Sequence, residues 1–119
     1  MFDLNCMLRA AAAGALSATE ATPTGVDLGV DLVPSTICVF VPSVSGTTPT
    51  LAVTIQESDD NSTWRTLGSF ESITAAGQYF ITLKSNARYR RYTATLGGTT
   101  PNFGTTLIGP VAGGRYTKW

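Results

Sequence analysis

Three acidic side chains that lie close together are the first candidates for chemistry in this sequence. Glu57, Asp59 and Asp60 fall within the polar segment ESDDNST at 57–63. Paired carboxylates can act as general acid and base on a glycosidic bond, and clustered hard oxygen ligands suit Ca²⁺. The segment fits no EF-hand pattern, however, and carboxylates crowded into a turn usually shape the turn itself. No metal site is therefore predicted, and calcium binding at this turn is left open.

The chain has no histidine, which removes a large part of enzyme chemistry. Ser-His and Cys-His nucleophile pairs need an imidazole base, and two cysteines alone cannot complete a zinc site of four ligands. The apolar run around Cys38 predicts that this residue is a small buried hydrophobe, although a pair with Cys6 is the alternative. We expect no enzymatic activity, no catalytic residue and no cofactor. A hydrolase activity abolished by Glu57→Gln would contradict this expectation.

Basic and aromatic side chains alternate in RYRRY at 88–92, as they do where single-stranded nucleic acid stacks on a protein. Residues 72–119 carry six bases and no acid, whereas residues 1–71 carry eight acids and two bases. Three interpretations are open: the charges pair between interleaved strands, acidic and basic patches meet across a subunit interface, or the bases bind nucleic acid. We favour pairing and predict no direct nucleic-acid partner. A candidate electrostatic interface is retained at Arg88, Arg90 and Arg91.

The two ends of the chain carry the other candidate interface residues. Apolar residues at spacings of three and four, in an alanine-rich context, predict a helix over 3–16. The tail RYTKW at 115–119 follows two glycines, and Tyr, Trp and Arg are frequent interface anchors. The alternative is that its aromatic residues fold back onto their own domain. The candidates for a subunit or partner interface are Phe2, Leu4, Met7, Leu8, Leu16, Arg115, Tyr116 and Trp119.

Period-two alternation of apolar residues, interrupted by turn signals, predicts the elements that must position these side chains. The segments SVSGTTP at 43–49 and GGTTPN at 97–102 are expected to be loops, and no internal repeat is expected. Alternation across 88–92 brings two arginines to the face that carries Tyr92, which predicts a bulge near Arg90 and Arg91. Seven strands are predicted, at 25–32, 36–41, 50–57, 64–70, 78–84, 88–96 and 103–111.

This pattern indicates an all-β domain, either a sandwich or a barrel, with a jelly roll as one option. The length of 119 residues suits one domain. We divide the chain into an N-terminal helical arm and linker at 1–24, a β-sandwich at 25–112 and a C-terminal tail at 113–119. No run of eighteen apolar residues is present, so no membrane span is expected.

Three segments carry a resemblance to a known family. They are FDLNCMLRAAAAGALSATEATPTGVDLG at 2–29, LAVTIQESDDNSTW at 51–64 and RYRRYTATL at 88–96. In this order they resemble bacteriophage capsid cement proteins, which decorate and stabilise phage heads, of the Bbp16-like type. The opening helix, linker and strand with VDLG at 26–29 are the most specific, while ESDDNSTW is shared more widely among virion β-domains.

The resemblance implies a single β-sandwich of the jelly-roll type on the outer surface of an icosahedral head. There the protein would bind the major capsid protein and stabilise contacts between its copies, after assembly in the bacterial host cytoplasm. The resemblance also implies self-association, as a homodimer first and a trimer as the other option. A structural virion protein is therefore the expected function.

A non-catalytic carbohydrate- or receptor-binding module of a phage tail or surface protein is the alternative. Such a module needs exposed aromatic side chains on one sheet face or in a cleft. Solvent exposure of two or more on one face would favour this interpretation. The candidates are Trp64, Tyr79, Phe80 and Tyr92.

Overall fold

The computed structural model describes residues 7–28 and 34–111, which form two antiparallel sheets. The all-β prediction is confirmed, and each of the seven strands in the described residues overlaps a predicted one. We term the sheet with strand order β1-β6-β3-β4 the large sheet and the sheet with order β5-β2-β7 the small sheet. The strands are β1 Val26–Asp27, β2 Ser35–Val41, β3 Ser45–Ser58, β4 Arg65–Ser69, β5 Gly77–Leu83, β6 Tyr89–Asn102 and β7 Leu107–Pro110.

The two sheets share one hydrophobic core, because alternate residues of their strands point towards each other. In β3 the inward residues are Leu51, Val53 and Ile55, as predicted, and each is fully buried. The small sheet contributes Val39 from its central strand and Ile108 from β7 to the same cluster. Burying a side chain of this size stabilises the fold by about 1.5–3 kcal/mol relative to leaving it in water. Period-two alternation thus fixes both the strands and the face that each one buries.

The first segment does not form the predicted helix, and this prediction is wrong over the described residues 7–16. Only Ala11–Ala13 form a short 3-10 turn, while residues 3–6 of the predicted helix lie outside the described residues. The backbone is instead used at a sheet edge, since the Arg9 carbonyl accepts from the Ile108 amide at 3.0 Å. Pairing of this kind buries apolar side chains, which outweighs the intrinsic helix propensity of alanine.

Residues 7–28 form a strap, here named the N-terminal strap, that covers one side of the sandwich. It begins on the edge of β7, where Arg9 bridges Ile108, and then crosses to the edge of β6. There Glu20 bridges Ala94, and β1 continues the pairing along the same edge. The predicted division at residue 24 lies within this strap. Of the first predicted strand, at 25–32, residues 29–32 lie outside the described residues.

Both segments predicted as loops, at 43–49 and 97–102, contain paired strand residues instead. Thr47 pairs with Thr99, and Ser45 pairs with Asn102, so β3 and β6 form a ribbon that extends beyond the rest of their sheet. The loop prediction was wrong because it relied on the glycine and proline content of each segment and did not consider that the two segments pair with each other. Irregularities in one strand of this ribbon are matched by irregularities in the other.

A four-residue internal repeat, GTTP, explains the matching and was not predicted. It occurs at 46–49 and 98–101, on opposite strands of the ribbon. Gly46 and Gly98 have φ of 110° and 97°, and Thr48 and Thr100 both have φ of 46°. A Cβ on Gly98 would lie 2.5 Å from the Thr48 carbonyl oxygen, and one on Gly46 would lie 2.6 Å from that of Thr100. The two copies face each other where β3 and β6 leave the large sheet and lead to β2 and β7.

The predicted bulge near Arg90 and Arg91 is absent. Pairing of β3 with β6 is continuous from Thr50 to Ser58, and the irregularity in this region lies between β3 and β4 at Ile55. The prediction assumed that an arginine could not occupy an inward position. Arg90 does so and is 1% exposed, at the place where β1 covers the edge of β6. Arg90 is buried because the N-terminal strap covers the edge of β6 at this position.

Candidate interaction surfaces

The acidic residues of the β3–β4 turn bind groups within and beside the turn itself. Arg65 donates from Nε to Glu57 Oε2 at 2.8 Å and from Nη1 to Asp59 Oδ2 at 3.4 Å. The other oxygen of Glu57 accepts from Ser85 Oγ at 2.8 Å. Among the described residues no group of three or more His, Cys, Asp or Glu is placed to hold a metal ion.

Asp60 has a structural role in the same turn. Its Oδ1 accepts from the amides of Thr63 and Ser62, at 2.8 and 2.9 Å, and from the Ser58 hydroxyl at 2.9 Å. The Thr63 amide, and next the Ser62 amide and the Ser58 hydroxyl, lower the pKa of Asp60. This is the local side chain–backbone bonding that makes aspartate frequent in turns.

The three arginines of the candidate electrostatic interface do not form one surface. Arg88 is exposed and forms an ion pair with Asp27 on the neighbouring strand. Arg91 lies over the Trp64 ring, 4.4 Å from its centroid, and donates to Gln56 Oε1 at 2.7 Å. Arg90 is buried. The arginine–acid pair between the two halves of the chain agrees with the interpretation that we favoured.

A buried polar network, not found from the sequence, fastens the N-terminal strap. Arg9 is fully buried and donates from Nε and Nη2 to both carboxylate oxygens of Glu20, at 3.1 and 3.2 Å. Its Nη1 donates to the carbonyls of Gly14 and Thr106, at 2.9 and 2.7 Å. The Tyr92 hydroxyl donates to the same Glu20 carboxylate. A lone arginine inside an alanine-rich segment was the only sequence signal for this cluster.

The network fixes the protonation states of its members near neutral pH. Burial raises the pKa of Glu20, but the hydrogen bonds from Arg9 and Tyr92 and the charge of Arg9 together outweigh it, so this pKa is lowered. Burial, and then the hydrogen bond to Glu20, raise the pKa of Tyr92 to about 12. Glu20 is therefore charged and Tyr92 neutral, as a structural clamp requires.

Of the four aromatic candidates for a carbohydrate site, only Phe80 is exposed. Tyr92 is buried, and the half-buried Trp64 is covered by Arg91. Tyr79 is half-buried, faces away from Phe80 along β5, and donates its hydroxyl to the Ala75 carbonyl at 2.6 Å. The condition set for a carbohydrate-binding face is therefore not met by these residues.

The side of the sandwich opposite the strap carries an open groove between β4 and β5. Its volume is about 550 Å³, and its walls are residues 69–72 and 78–81. Phe80, at 53% exposure, is the one large apolar side chain that is exposed in the described residues. We term this region the open side. Both β4 and β5 are terminal strands of their sheets here.

The outer face of the large sheet is lined with hydroxyl groups. Thr54 and Thr93 pair across β3 and β6, and the Thr54 hydroxyl lies 3.2 Å from that of Ser69 on β4. Threonine is frequent in such positions because its branched side chain suits a pleated surface. We term this surface, where it extends over β3, β4 and β6, the hydroxyl face. Arg91 is its charged member, while Asp27 of β1 lies on the same side of the sheet at its edge. The members of the hydroxyl face are Ala52, Thr54, Gln56, Thr66, Ser69, Arg91, Thr93 and Thr95.

The candidate interface residues of the N-terminal segment and of the tail at 115–119 fall into three groups. Leu8 and Leu16 are 8% and 0% exposed and belong to the hydrophobic core, which accounts for their apolar character without a partner. Met7 is half-buried against β7, where a Cβ on Gly109 would lie 2.8 Å from its sulfur. The remaining candidates lie outside the described residues: Phe2, Leu4, Arg115, Tyr116 and Trp119.

Cys38 is fully buried, as predicted, and burial raises the pKa of its thiol. Its predicted alternative partner, Cys6, lies outside the described residues. In the small sheet Cys38 lies between Phe80 and Gly109 on the neighbouring strands. Its side chain therefore points away from the core, beside the exposed aromatic ring.

The sequence matches no protein-family model, and a search of curated proteins finds no significant match. No helix within residues 7–28 and 34–111 is long and apolar enough to cross a membrane. What the protein does is therefore inferred from its surfaces and from its sequence motifs.

Proposed function

We propose that this protein is a non-catalytic structural virion protein of a bacteriophage. It binds the outer surface of an icosahedral head, stabilises contacts between major capsid proteins and is assembled in the bacterial host cytoplasm. Its partners are the major capsid protein and further copies of itself, with no direct contact to nucleic acid or membrane. Support comes from the motifs at 2–29, 51–64 and 88–96 and from the chemistry of the hydroxyl face.

The hydroxyl face is the observation that carries the proposal. Threonine and serine hydroxyls such as those of Thr54 and Thr93 exchange hydrogen bonds with a partner at a lower desolvation cost than charged groups. A surface of this kind gives many modest contacts and no dominant one. Repeated over many copies on a lattice, modest contacts add to a high total affinity. This is the requirement of a cement protein.

The jelly-roll assignment is part of the same proposal. In a jelly roll a two-stranded ribbon folds over to form two sheets. Support comes from β2 and β7, which pair with each other in the small sheet, and from β3 and β6, which pair in the large sheet. The GTTP repeat lies in the ribbon between these two pairs. The β3–β4 hairpin, which stays within one sheet, departs from this scheme.

Co-sedimentation with heads assembled from the major capsid protein of the same virus tests the function. We expect the full chain to bind these heads and to raise the temperature at which they rupture. The double variant Thr54→Glu/Thr93→Glu places two charges on the hydroxyl face and should weaken binding about tenfold or more. Thr105→Glu, an exposed change outside this face, is the matched control.

Two results would contradict the proposal. One is a wild-type chain that does not bind the heads, and the other is a double variant that binds as well as Thr105→Glu. Binding of the same protein to a panel of bacterial surface polysaccharides, without binding to heads, would establish the carbohydrate-binding alternative.

A further inference from the structure

The outer edge of β5 is a pairing surface that no other described strand covers. Opposite it, the N-terminal strap covers the edges of β6 and β7. β5 ends the small sheet, and its seven residues Gly77–Leu83 contain no charged side chain. An uncharged edge strand presents a row of free amide and carbonyl groups, which is a template for pairing with another chain. β4, the other terminal strand on this side, begins with Arg65 and is shorter.

The sequence of β5 is complementary to itself when reversed. Phe80 is the central residue of the strand. Antiparallel pairing about a two-fold axis at this residue places Phe80 opposite Phe80 of the second copy, on the outer face. The same register places Gln78 opposite Thr82, which matches polar with polar on that face. On the inner face it places Tyr79 opposite Ile81.

The charges beside β5 are complementary in this register as well. Lys84 follows the strand and is exposed, and the register places it opposite Ala76 of the second copy. Glu71 is exposed and lines the same groove as Gln78 and Phe80. In this register the lysine of one copy lies next to the groove of the other copy, whose lining includes this acid. Two-fold symmetry repeats this pair at both ends of the interface.

We propose that two copies of this chain associate through their β5 strands, with the small sheets joined into one continuous antiparallel sheet. Phe80 of each copy packs on the other at the centre, and Lys84 pairs with Glu71 at each end. The inference rests on the proposed function, since it names the surface by which the structural protein binds a second copy. A second copy is preferred to an unrelated peptide because both the strand and its flanking charges are self-complementary.

Sedimentation velocity of the full chain over a wide concentration range tests the interface. We expect a reversible dimer and, for Phe80→Lys, a dimer dissociation constant raised about a hundredfold, because the residue enters the interface twice. Phe80 is half exposed in the single chain, so this variant should keep its folded circular-dichroism spectrum. Thr105→Lys, at an exposed position outside the hydroxyl face and next to β7 at the other end of the small sheet, adds the same charge and should leave the dimer unchanged.

A charge exchange provides a second, independent test of the register. Lys84→Glu and Glu71→Lys should each weaken the dimer about tenfold, because each leaves like charges facing one another. The double variant should restore the wild-type dissociation constant. A wild-type chain that stays monomeric, a trimer, or a Phe80→Lys variant that dimerises like Thr105→Lys would overturn the proposal. A charge exchange without rescue would overturn the register.

Head binding separates failure of this inference from failure of the proposed function. The Phe80→Lys monomer keeps the hydroxyl face and should still co-sediment with heads, with lower affinity because bivalency is lost. Head binding by a wild-type chain that does not dimerise through β5 would overturn only the inference. Dimerisation through β5 without head binding would overturn only the function.

Discussion

The two sides of the sandwich differ in whether their strand edges are covered. On one side the N-terminal strap pairs with the edges of β6 and β7 and buries Leu16 completely. On the other side β4 and β5 end their sheets at an open groove, with Phe80 exposed. Natural sheet proteins usually cover or charge their edges to prevent stray pairing. No described strand covers the outer edge of β5 and the strand carries no charge, which is why we propose that this edge pairs with a second copy.

The difference also concerns the forces involved. The strap is held by the Arg9–Glu20 ion pair, two hydrogen bonds from Arg9 to carbonyl groups, and leucines of the core. Detachment of the strap would therefore expose charged groups and apolar surface together. The open side has few fixed contacts, and its exposed ring gains most when something else covers it. Changes on the strapped side should therefore act on stability, and changes on the open side should act on association. The following predictions test this contrast in order of decreasing effect.

Arg9→Ala should have the largest effect. It removes the donor of the Gly14 and Thr106 carbonyls and leaves the Glu20 carboxylate with the Tyr92 hydroxyl. Because the Glu20 side chain is 31% exposed, we expect a loss of about 3–4 kcal/mol, which is below the upper end of the range for a fully buried pair. Urea unfolding followed by circular dichroism measures the change in the free energy of unfolding. Arg88→Ala removes an exposed, solvent-screened ion pair and should change the free energy of unfolding far less than Arg9→Ala does. Equal losses in the two variants would show that the strap is not fastened by Arg9.

Leu16→Ala should destabilise the protein by about 3 kcal/mol. The side chain is fully buried in the core, so its truncation loses transfer free energy and leaves a cavity. Thermal and urea unfolding both report this change. A loss below about 1 kcal/mol would mean that the strap contributes little to the core and that the two sides are less different than proposed.

The clamp predicts a dependence of stability on alkaline pH. The pKa of Tyr92 is raised from 10.0 to about 12 in the folded chain, so the stabilisation is complete below pH 10 and is lost as pH rises through 12. The unfolding free energy should therefore fall across this window. Tyr92→Phe cannot titrate, and its stability should fall less between pH 10 and 12. A parallel fall in both proteins would assign the effect to other groups.

Phe80→Ser should have the smallest effect on the stability of the monomer. The ring is half exposed, so at low protein concentration we expect a change within about 0.5 kcal/mol. At high concentration the wild type should be stabilised by dimer formation and the variant should not. Unfolding midpoints measured at two concentrations distinguish these outcomes. A large loss at low concentration would make Phe80 a core residue and not an interface residue.

The strands were predictable because each carries its own signal. Leu51, Val53 and Ile55 alternate with polar residues, and this local pattern needs no partner to be recognised. The strap was not predictable, because Arg9 and Glu20 acquire their roles from residues such as Ile108 and Ala94 that are distant in the chain. The alanines around them favour a helix locally, and only tertiary pairing reverses that preference.

The surfaces were predictable in part. Phe80 was among the aromatic candidates. Its exposure depends on β5 being a terminal strand of the small sheet. The periodicity of apolar residues predicts strands but not their order in a sheet. The hydroxyl face needs the register between β3 and β6 before Thr54 and Thr93 become neighbours. Likewise, the two GTTP copies can be identified as facing segments only when the pairing of β3 with β6 is known. The sequence showed which residue types could form a surface, but it did not show which of them lie next to each other in the fold.

The order in which the ribosome makes the chain gives the strap a further consequence. The strap emerges from the ribosome before the residues that receive it, Ala94, Phe103 and Ile108. Arg9 and its acceptor Thr106 are 97 residues apart, so docking of the strap is a late, long-range step of folding. Until β6 and β7 have been made, the strap has no strand edge to pair with, and Leu8 and Leu16, which are buried in the finished molecule, remain exposed.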